Sequence, residues 1–115
     1  MRNQPIPPLV EQTIKRIIRT FSPEQVILFG SYAKGTANAK SDVDLLVVVN
    51  LDGNPDFYHR QARQITAACF PPVDIVFASP YEVSIASTNR SHFLLSILEK
   101  GITFYSQDSS RISIQ

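Results

Sequence analysis

The sequence predicts a single α/β domain. Apolar runs rich in β-branched residues alternate along the chain with segments whose apolar residues recur at helical spacing. The chain has 115 residues, 43% of them hydrophobic, which suits one domain with one sizeable core. We expect this domain to cover residues 1–105 and to be followed by a polar tail over residues 106–115.

The first half of the chain predicts a helix, a strand, a short helix and a second strand. From Leu9 to Phe21, apolar residues recur at helical spacing, after prolines that a helix entrance tolerates. The β-rich run Gln25–Phe29 ends in a tight turn at Gly30-Ser31, and we expect a short helix after it. Except for Asp42 and Asp44 at its start, the run to Val49 is apolar on both alternating sets, which is typical of a central strand covered on both faces.

The second half predicts three more helices and two more strands. Residues 56–69 have helical character until two prolines end it, and residues 73–77 form the next strand. Ser79 begins a capping-box pattern at the start of a short helix. Ser91 is expected to cap the last helix, and residues 102–105 follow as a short strand.

Charge and cysteine content narrow the classes of function. Lys and Arg total 11 against 10 Asp and Glu, so no overall field favours membrane or direct nucleic-acid binding, and neither is expected. The longest apolar run, residues 45–49, is too short to span a bilayer, and we expect no secretory signal at the N-terminus. Cys69 has no partner for an internal disulfide, so we expect a cytoplasmic protein.

Two carboxylates at the head of a strand indicate a metal site. Side chains alternate along a strand, so Asp42 and Asp44 share a face with Cβ atoms roughly 7 Å apart. Like charges this close favour a cation between them. Mg²⁺ suits the site because it takes one or two carboxylates together with water and substrate phosphate oxygens. The pair therefore implies a phosphate-bearing substrate.

A glycine turn and a third carboxylate extend this candidate site. Gly30 permits a close backbone approach, and the Ser31 hydroxyl and the turn amides can donate to phosphate oxygens. Asp74 lies inside the apolar run of the third strand. An ionised side chain in a half-buried strand is costly unless it is paired, so we expect a cation or a donor to face Asp74.

In this order, these residues resemble the DNA polymerase β-type nucleotidyltransferase superfamily. Gly30-Ser31, ten further residues and then Asp42-Val43-Asp44 precede an apolar strand and a later strand that carries Asp74. The segment GSYAKGTANAKSDVDLLVVV is most similar to the minimal nucleotidyltransferase (MNT) branch. The resemblance implies a single nucleotidyltransferase domain with a short mixed β-sheet and helices mainly on one face.

The resemblance also implies a role for each site residue. Gly30 and Ser31 hold the triphosphate, Asp42 and Asp44 bind two Mg²⁺ ions, and Asp74 completes the metal site and helps to deprotonate the attacking hydroxyl. All three aspartates are then catalytic and metal-binding. The implied reaction is attack of a hydroxyl on the α-phosphorus of a nucleoside triphosphate, favoured as ATP, with loss of pyrophosphate.

The expected partner follows from the same resemblance. Larger members of the superfamily add a domain for the acceptor, whereas this sequence ends just after the catalytic sheet. Minimal nucleotidyltransferases resemble antitoxins that transfer AMP to a tyrosine of a HEPN-domain toxin ribonuclease. The resemblance therefore implies a protein adenylyltransferase that forms a hetero-oligomer with such a toxin and acts as its antitoxin.

Other interpretations stay open at this point. The chain can be an antitoxin that neutralises its toxin by binding alone, or a nucleotidyltransferase acting on a small molecule such as an aminoglycoside. Lys34 and Lys40 are equally consistent with triphosphate contacts and with solvated surface lysines. Residues 57–63 mix aromatic and basic side chains, as a nucleotide-binding surface does, although an ordinary helix with exposed charges is the favoured interpretation.

Overall fold

A computed structural model describes residues 5–88 and 92–107 of the chain. Within this part, five helices and one four-stranded mixed sheet follow the predicted order, which confirms the α/β class. The elements are α1 (Pro8–Phe21), β1 (Gln25–Phe29), α2 (Ser31–Lys34), β2 (Val43–Val48), α3 (Pro55–Thr66), β3 (Val73–Ala78), α4 (Pro80–Ser84), α5 (His92–Lys100) and β4 (Ile102–Ser106).

The sheet has the strand order β3-β2-β1-β4. Strand β1 pairs antiparallel with both β2 and β4, whereas β2 and β3 run parallel. These directions bring the end of β1 and the starts of β2, β3 and β4 to the same end of the sheet. We call it the site end, because the predicted site residues Gly30, Asp44 and Asp74 all lie there.

Strand β2 is covered on both faces, as its apolar pattern predicts. Val43, Leu45 and Val47 belong to the larger core cluster, which α1 and α3 complete on one face of the sheet. Leu46 and Val48 belong to a smaller cluster on the other face, which includes residues of α5. The two longest helices therefore share one face, as predicted, and each buried aliphatic side chain stabilises the sheet by about 1.5–3 kcal/mol.

Helix α1 is amphipathic, and its buried stripe packs on the sheet. Its apolar residues Ile14 and Ile17 are fully buried, whereas Leu9, which the helical pattern assigned to the same stripe, is 48% exposed. Ser22 ends the helix in a left-handed conformation and donates its N–H to Ile18 at 2.9 Å. None of the described helices combines the length and the apolar content that a bilayer span requires.

Side-chain caps begin helices α3 and α4. The Asn54 side chain accepts from the Asp56 N–H at the start of α3. The predicted capping box is present at α4, where Ser79 and Glu82 exchange bonds of 2.8 and 3.1 Å. The predicted cap Ser91 lies outside the described residues.

The chain end differs slightly from the prediction. Ser106 pairs with Gln25 in β4, and Gln107 donates its N–H to Glu24 at 2.8 Å. The last strand therefore continues one residue into the predicted tail. Residues 108–115 lie outside the described part of the chain.

Gly101 joins α5 to β4 where no larger side chain fits. A Cβ atom there would lie 2.6 Å from Ile27 Cγ2 and 3.0 Å from the Leu28 carbonyl oxygen. We expect Gly101→Ala to lower the free energy of unfolding by about 1–3 kcal/mol, because it overpacks this junction. Urea unfolding of both proteins measures the change. Glu99→Ala, at an exposed position of the same helix, is the control and should stay within about 0.5 kcal/mol of wild type. Equal midpoints for wild type and Gly101→Ala would contradict this packing.

Candidate active site

The structure brings the three predicted carboxylates to the site end. Asp44 pairs in register with Phe29 of β1 on one side and with Asp74 of β3 on the other. The residues two further along these strands, Leu46 and Val76, pack in the cluster on the α5 face. Because side chains alternate, Asp44 and Asp74 share that face of the sheet. Asp42 lies one residue before β2, and its charge acts on Asp44.

Burial and the repulsion between the carboxylates act most strongly on Asp44. Burial raises the pKa of the Asp44 carboxyl, and the nearby charges of Asp74 and Asp42 raise it further. Asp44 is half-buried, while Asp42 and Asp74 are exposed. A proton or a cation placed here relieves the repulsion, because either one offsets the concentrated negative charge.

The prediction of a cation or donor facing Asp74 rested on a burial that the structure does not show, and the place of Asp74 in the metal site stays a prediction. The sequence pattern indicated a half-buried strand position, whereas the Asp74 side chain is exposed. The physical reason is the position of β3 at the edge of the sheet, where it pairs only with β2. Water solvates the carboxylate there, so its charge carries no large burial cost.

Gly30 is pressed against the Asp44 carboxylate. Its φ is +74°, and a Cβ atom at this position would lie 3.1 Å from Asp44 Cγ and in direct collision with Asp44 Oδ2. Glycine is therefore required both by the backbone conformation and by the contact. The Gly30 carbonyl accepts from the N–H groups of Ala33 and Lys34 at 3.1 Å, which joins the turn to α2. Ser31 is the first residue of that helix.

The donor set suits a metal that is shared with a substrate. In the described part of the chain, no three His, Cys, Asp or Glu side chains form a metal site by themselves. Mg²⁺ does not need such a cage, since it is commonly held by one or two carboxylates, substrate phosphates and water. The hard oxygen ligands of Asp42 and Asp44, beside the Gly30 turn, fit this kind of site.

A cleft of about 160 Å³ opens on the Gly30 side of the carboxylates. Lys34 of α2 and Lys100 of α5 give it two positive charges, and the rings of Phe29 and Phe93 pack edge to face at 5.9 Å. Lys34 was left open by the sequence, and Lys100 was missed. The only sequence signal for Lys100 is a basic residue in the last turn of a helix, a common feature of helix ends.

A second cleft, of about 150 Å³, opens on the opposite side, between α3 and β3. His59 and Arg63 of α3 line it together with Asp74 of β3. Sequence analysis placed both α3 residues in a mixed aromatic and basic segment but assigned them no site. Their spacing of four residues on one helix was the available signal, since such residues lie on the same face.

Comparisons with known proteins find a matching family and solved structures with a similar fold. The chain matches the family described as "Polymerase beta, Nucleotidyltransferase" over residues 12–110. No curated protein matches it. A candidate nucleotidyltransferase from Sulfolobus solfataricus has a similar fold, with a TM-score of 0.57 and 20% identity over 87% of this chain and 79% of that one. A toxin-antitoxin structure with AMP-PNP has a TM-score of 0.53 and 25% identity, over 87% of this chain and 77% of that one.

The raised pKa of Asp44 predicts a stabilising substitution. A raised pKa means that the folded state binds the proton more tightly than the unfolded state, so ionised Asp44 destabilises the fold at neutral pH. Asp44→Asn should raise the Tm by a few degrees at pH 7 in metal-free buffer. The difference should shrink as the pH falls and wild-type Asp44 takes up its proton.

Thermal unfolding followed by circular dichroism between pH 4 and pH 7 tests this. Asp52→Asn, at an exposed position in the turn before α3, is the matched control and should leave the Tm unchanged. A lower Tm for Asp44→Asn at pH 7, or a difference that grows on acidification, would refute the electrostatic account.

Proposed function

The chain belongs to the polymerase β nucleotidyltransferase family, and on that premise we propose that it transfers AMP from ATP to a hydroxyl group of a partner protein, with Mg²⁺. One observation carries this proposal. The Asp44 carboxylate lies beside Asp74 and directly against the Gly30 turn, so a phosphate-binding element and an acidic group face one small volume. Nucleotidyl transfer needs this combination, because the reacting phosphorus carries negative charge on its oxygens.

The Gly30 side of the site binds the nucleotide. The turn amides and the Ser31 hydroxyl donate to the phosphate oxygens. Lys34 and Lys100, in the adjoining cleft, supply positive charge for the same triphosphate. Because Gly30 has no side chain, the Asp44 carboxylate lies directly against its backbone, next to the position proposed for the phosphates.

The carboxylates perform the transfer. Asp42 and Asp44 would hold Mg²⁺, which when bound stabilises charge on the attacking and leaving oxygens. Asp74, which is exposed at the sheet edge, accepts the proton of the acceptor hydroxyl. The acceptor oxygen bonds to the α-phosphorus as the bond to pyrophosphate breaks, and pyrophosphate carries away the electron pair.

The structural relatives favour a toxin as the acceptor. A toxin-antitoxin structure that contains AMP-PNP shares this fold. We extend this likeness to a cognate HEPN-domain toxin, a tyrosine acceptor, a hetero-oligomer and an antitoxin role for this chain. A cytoplasmic location belongs to the same proposal, because ATP and Mg²⁺ are available there and Cys69 has no disulfide partner in the sequence.

Intact mass spectrometry of the protein encoded next to this chain tests the proposal. After co-expression with wild type, that protein should gain mass in whole AMP units. After co-expression with the Asp42→Asn, Asp44→Asn double variant, the modification should fall by at least about 100-fold, because the phosphoryl charge is no longer neutralised. The control is Asp52→Asn with Asp56→Asn. Both carboxylates are exposed, one in the turn before α3 and the other in the first turn of α3, and this variant should modify the partner like wild type.

Three outcomes would contradict the proposal in different ways. A partner that stays unmodified with wild type, yet co-purifies with it and is inhibited, indicates an antitoxin that acts by binding alone. Full modification by the double variant would show that these carboxylates are not the catalytic group. Transfer to an aminoglycoside without any partner protein would instead support a small-molecule acceptor.

A further inference from the structure

The cleft beside Gly30 has an aromatic wall that the proposed function does not use. The rings of Phe29 and Phe93 both line this cleft and pack edge to face at 5.9 Å. Phe93 is 59% exposed, whereas Leu94 and Ile97 of the same helix are buried. Helix α5 is therefore anchored in the core while it holds an exposed aromatic ring beside the Gly30 turn.

Strand pairing places this wall next to the carboxylates. Phe29 is the residue of β1 that pairs with Asp44 of β2. Directly opposite residues of an antiparallel pair project to the same face, with Cβ atoms about 5 Å apart. Phe29 packs against the core cluster on the α5 face, which is also the face of Asp44. A ligand with a phosphate at Asp44 can therefore reach the Phe93 ring without leaving this face of the sheet.

One face of α5 carries an aromatic group and a charge. Phe93, Ile97 and Lys100 recur at helical spacing and all line the cleft. Ile97 is buried between the other two, which lie about 10 Å apart along the helix axis. The cleft thus joins an aromatic region to a charged one, as suits a ligand with a flat ring at one end and anionic groups at the other.

The charge of the cleft is positive and its volume is small. Lys34 and Lys100 are the charged residues that line it, and no carboxylate does so. Within residues 5–88 and 92–107, neither ammonium forms an ion pair. The volume of about 160 Å³ is below the roughly 300–1,000 Å³ of sites that enclose a whole drug-sized ligand. The cleft therefore suits one part of a nucleotide, with the phosphates at its charged rim.

We propose that Phe93 is the base-stacking residue of this site, so that the nucleobase of the nucleoside triphosphate lies on its exposed face. Phe29 supports the ring through their edge-to-face contact. The inference rests on the proposed transfer reaction, which puts the phosphates at the Gly30 turn. An apolar segment of a partner protein fits the ring less well, because it would remove water from Lys34 and Lys100 without pairing them.

A tryptophan introduced at this position reports on stacking directly, because the chain has no tryptophan of its own. Phe93→Trp keeps an aromatic face in the cleft, and a base stacked on an indole quenches its fluorescence. ATP with Mg²⁺ should quench the full-length variant, whereas inorganic tripolyphosphate, which has no base, should not. Phe57→Trp is the matched control, since Phe57 is 47% exposed on α3 and lines neither cleft. Its fluorescence should not respond to ATP.

Calorimetry measures the affinity of the same two ligands. Phe93→Ala should raise the Kd for ATP by about tenfold, because the stack is lost, and should leave the Kd for tripolyphosphate within about twofold of wild type. Phe93→Trp should bind ATP at least as tightly as wild type, and Phe57→Ala should change neither constant. Equal weakening of both ligands by Phe93→Ala would contradict a base subsite. Circular dichroism checks that each variant is folded.

The outcomes separate this inference from the proposed function. ATP binding that depends on Phe93, with no transfer to any acceptor, would support the subsite and contradict the reaction. Transfer to the neighbouring protein with a KM for ATP that Phe93→Ala leaves unchanged would contradict the subsite alone. An ATP affinity that depends on Phe57 instead would place the base at α3 and overturn the inference. Loss of partner co-purification in Phe93→Ala, with unchanged ATP affinity, would show that the ring contacts a protein instead.

Discussion

The close approach of Gly30 to the Asp44 carboxylate is the constraint on which the site depends. Antiparallel pairing of β1 with β2 sets Phe29 opposite Asp44, so the next residue of β1 must turn directly against the carboxylate. Only a residue without a side chain can do this at a φ of +74°. The Gly30 turn and the first acidic strand are thus held together by strand pairing and by the contact of the Gly30 backbone with the Asp44 carboxylate.

The acidic group is tolerated because the strand behind it is so well packed. Burial and two neighbouring charges raise the pKa of Asp44, which means that its ionised form opposes folding. The next residues of β2, from Leu45 to Val48, are buried on both faces of the sheet. Their apolar burial offsets the electrostatic cost at the end of the strand. A stable core thereby supports a site that is locally unfavourable without its ligands.

Local patterns were sufficient to predict the secondary-structure elements and to select most of the candidate site residues. The two-sided apolar run of β2 and the Ser79 capping box are visible in any few consecutive residues, and both are present in the structure. Strand alternation alone selected Asp42 and Asp44, although β2 begins at Val43 and Asp42 lies just before it. The resemblance to a known family supplied the remaining roles, because spacing alone does not say that Asp44 and Asp74 are neighbours in a parallel pair.

The errors share a physical cause, since each depends on a neighbour that is distant in sequence. Asp74 was expected to be half-buried, because an apolar run does not reveal whether its strand lies at the centre or the edge of a sheet. Lys100 was overlooked because its cleft exists only where α5 meets α2. Arg63 lines a cleft only because α3 packs beside β3, and the helical pattern of α3 does not predict that neighbour.

The most direct test of the central claim is a crystal structure of the chain with Mn²⁺ and a non-hydrolysable ATP analogue. Mn²⁺ replaces Mg²⁺ at oxygen-rich sites and is located by its anomalous signal. We predict an anomalous peak at the Asp42 and Asp44 carboxylates, with the phosphates of the analogue against the Gly30-Ser31 turn. A nucleotide bound elsewhere, or Mn²⁺ that is absent from these carboxylates, would contradict the account.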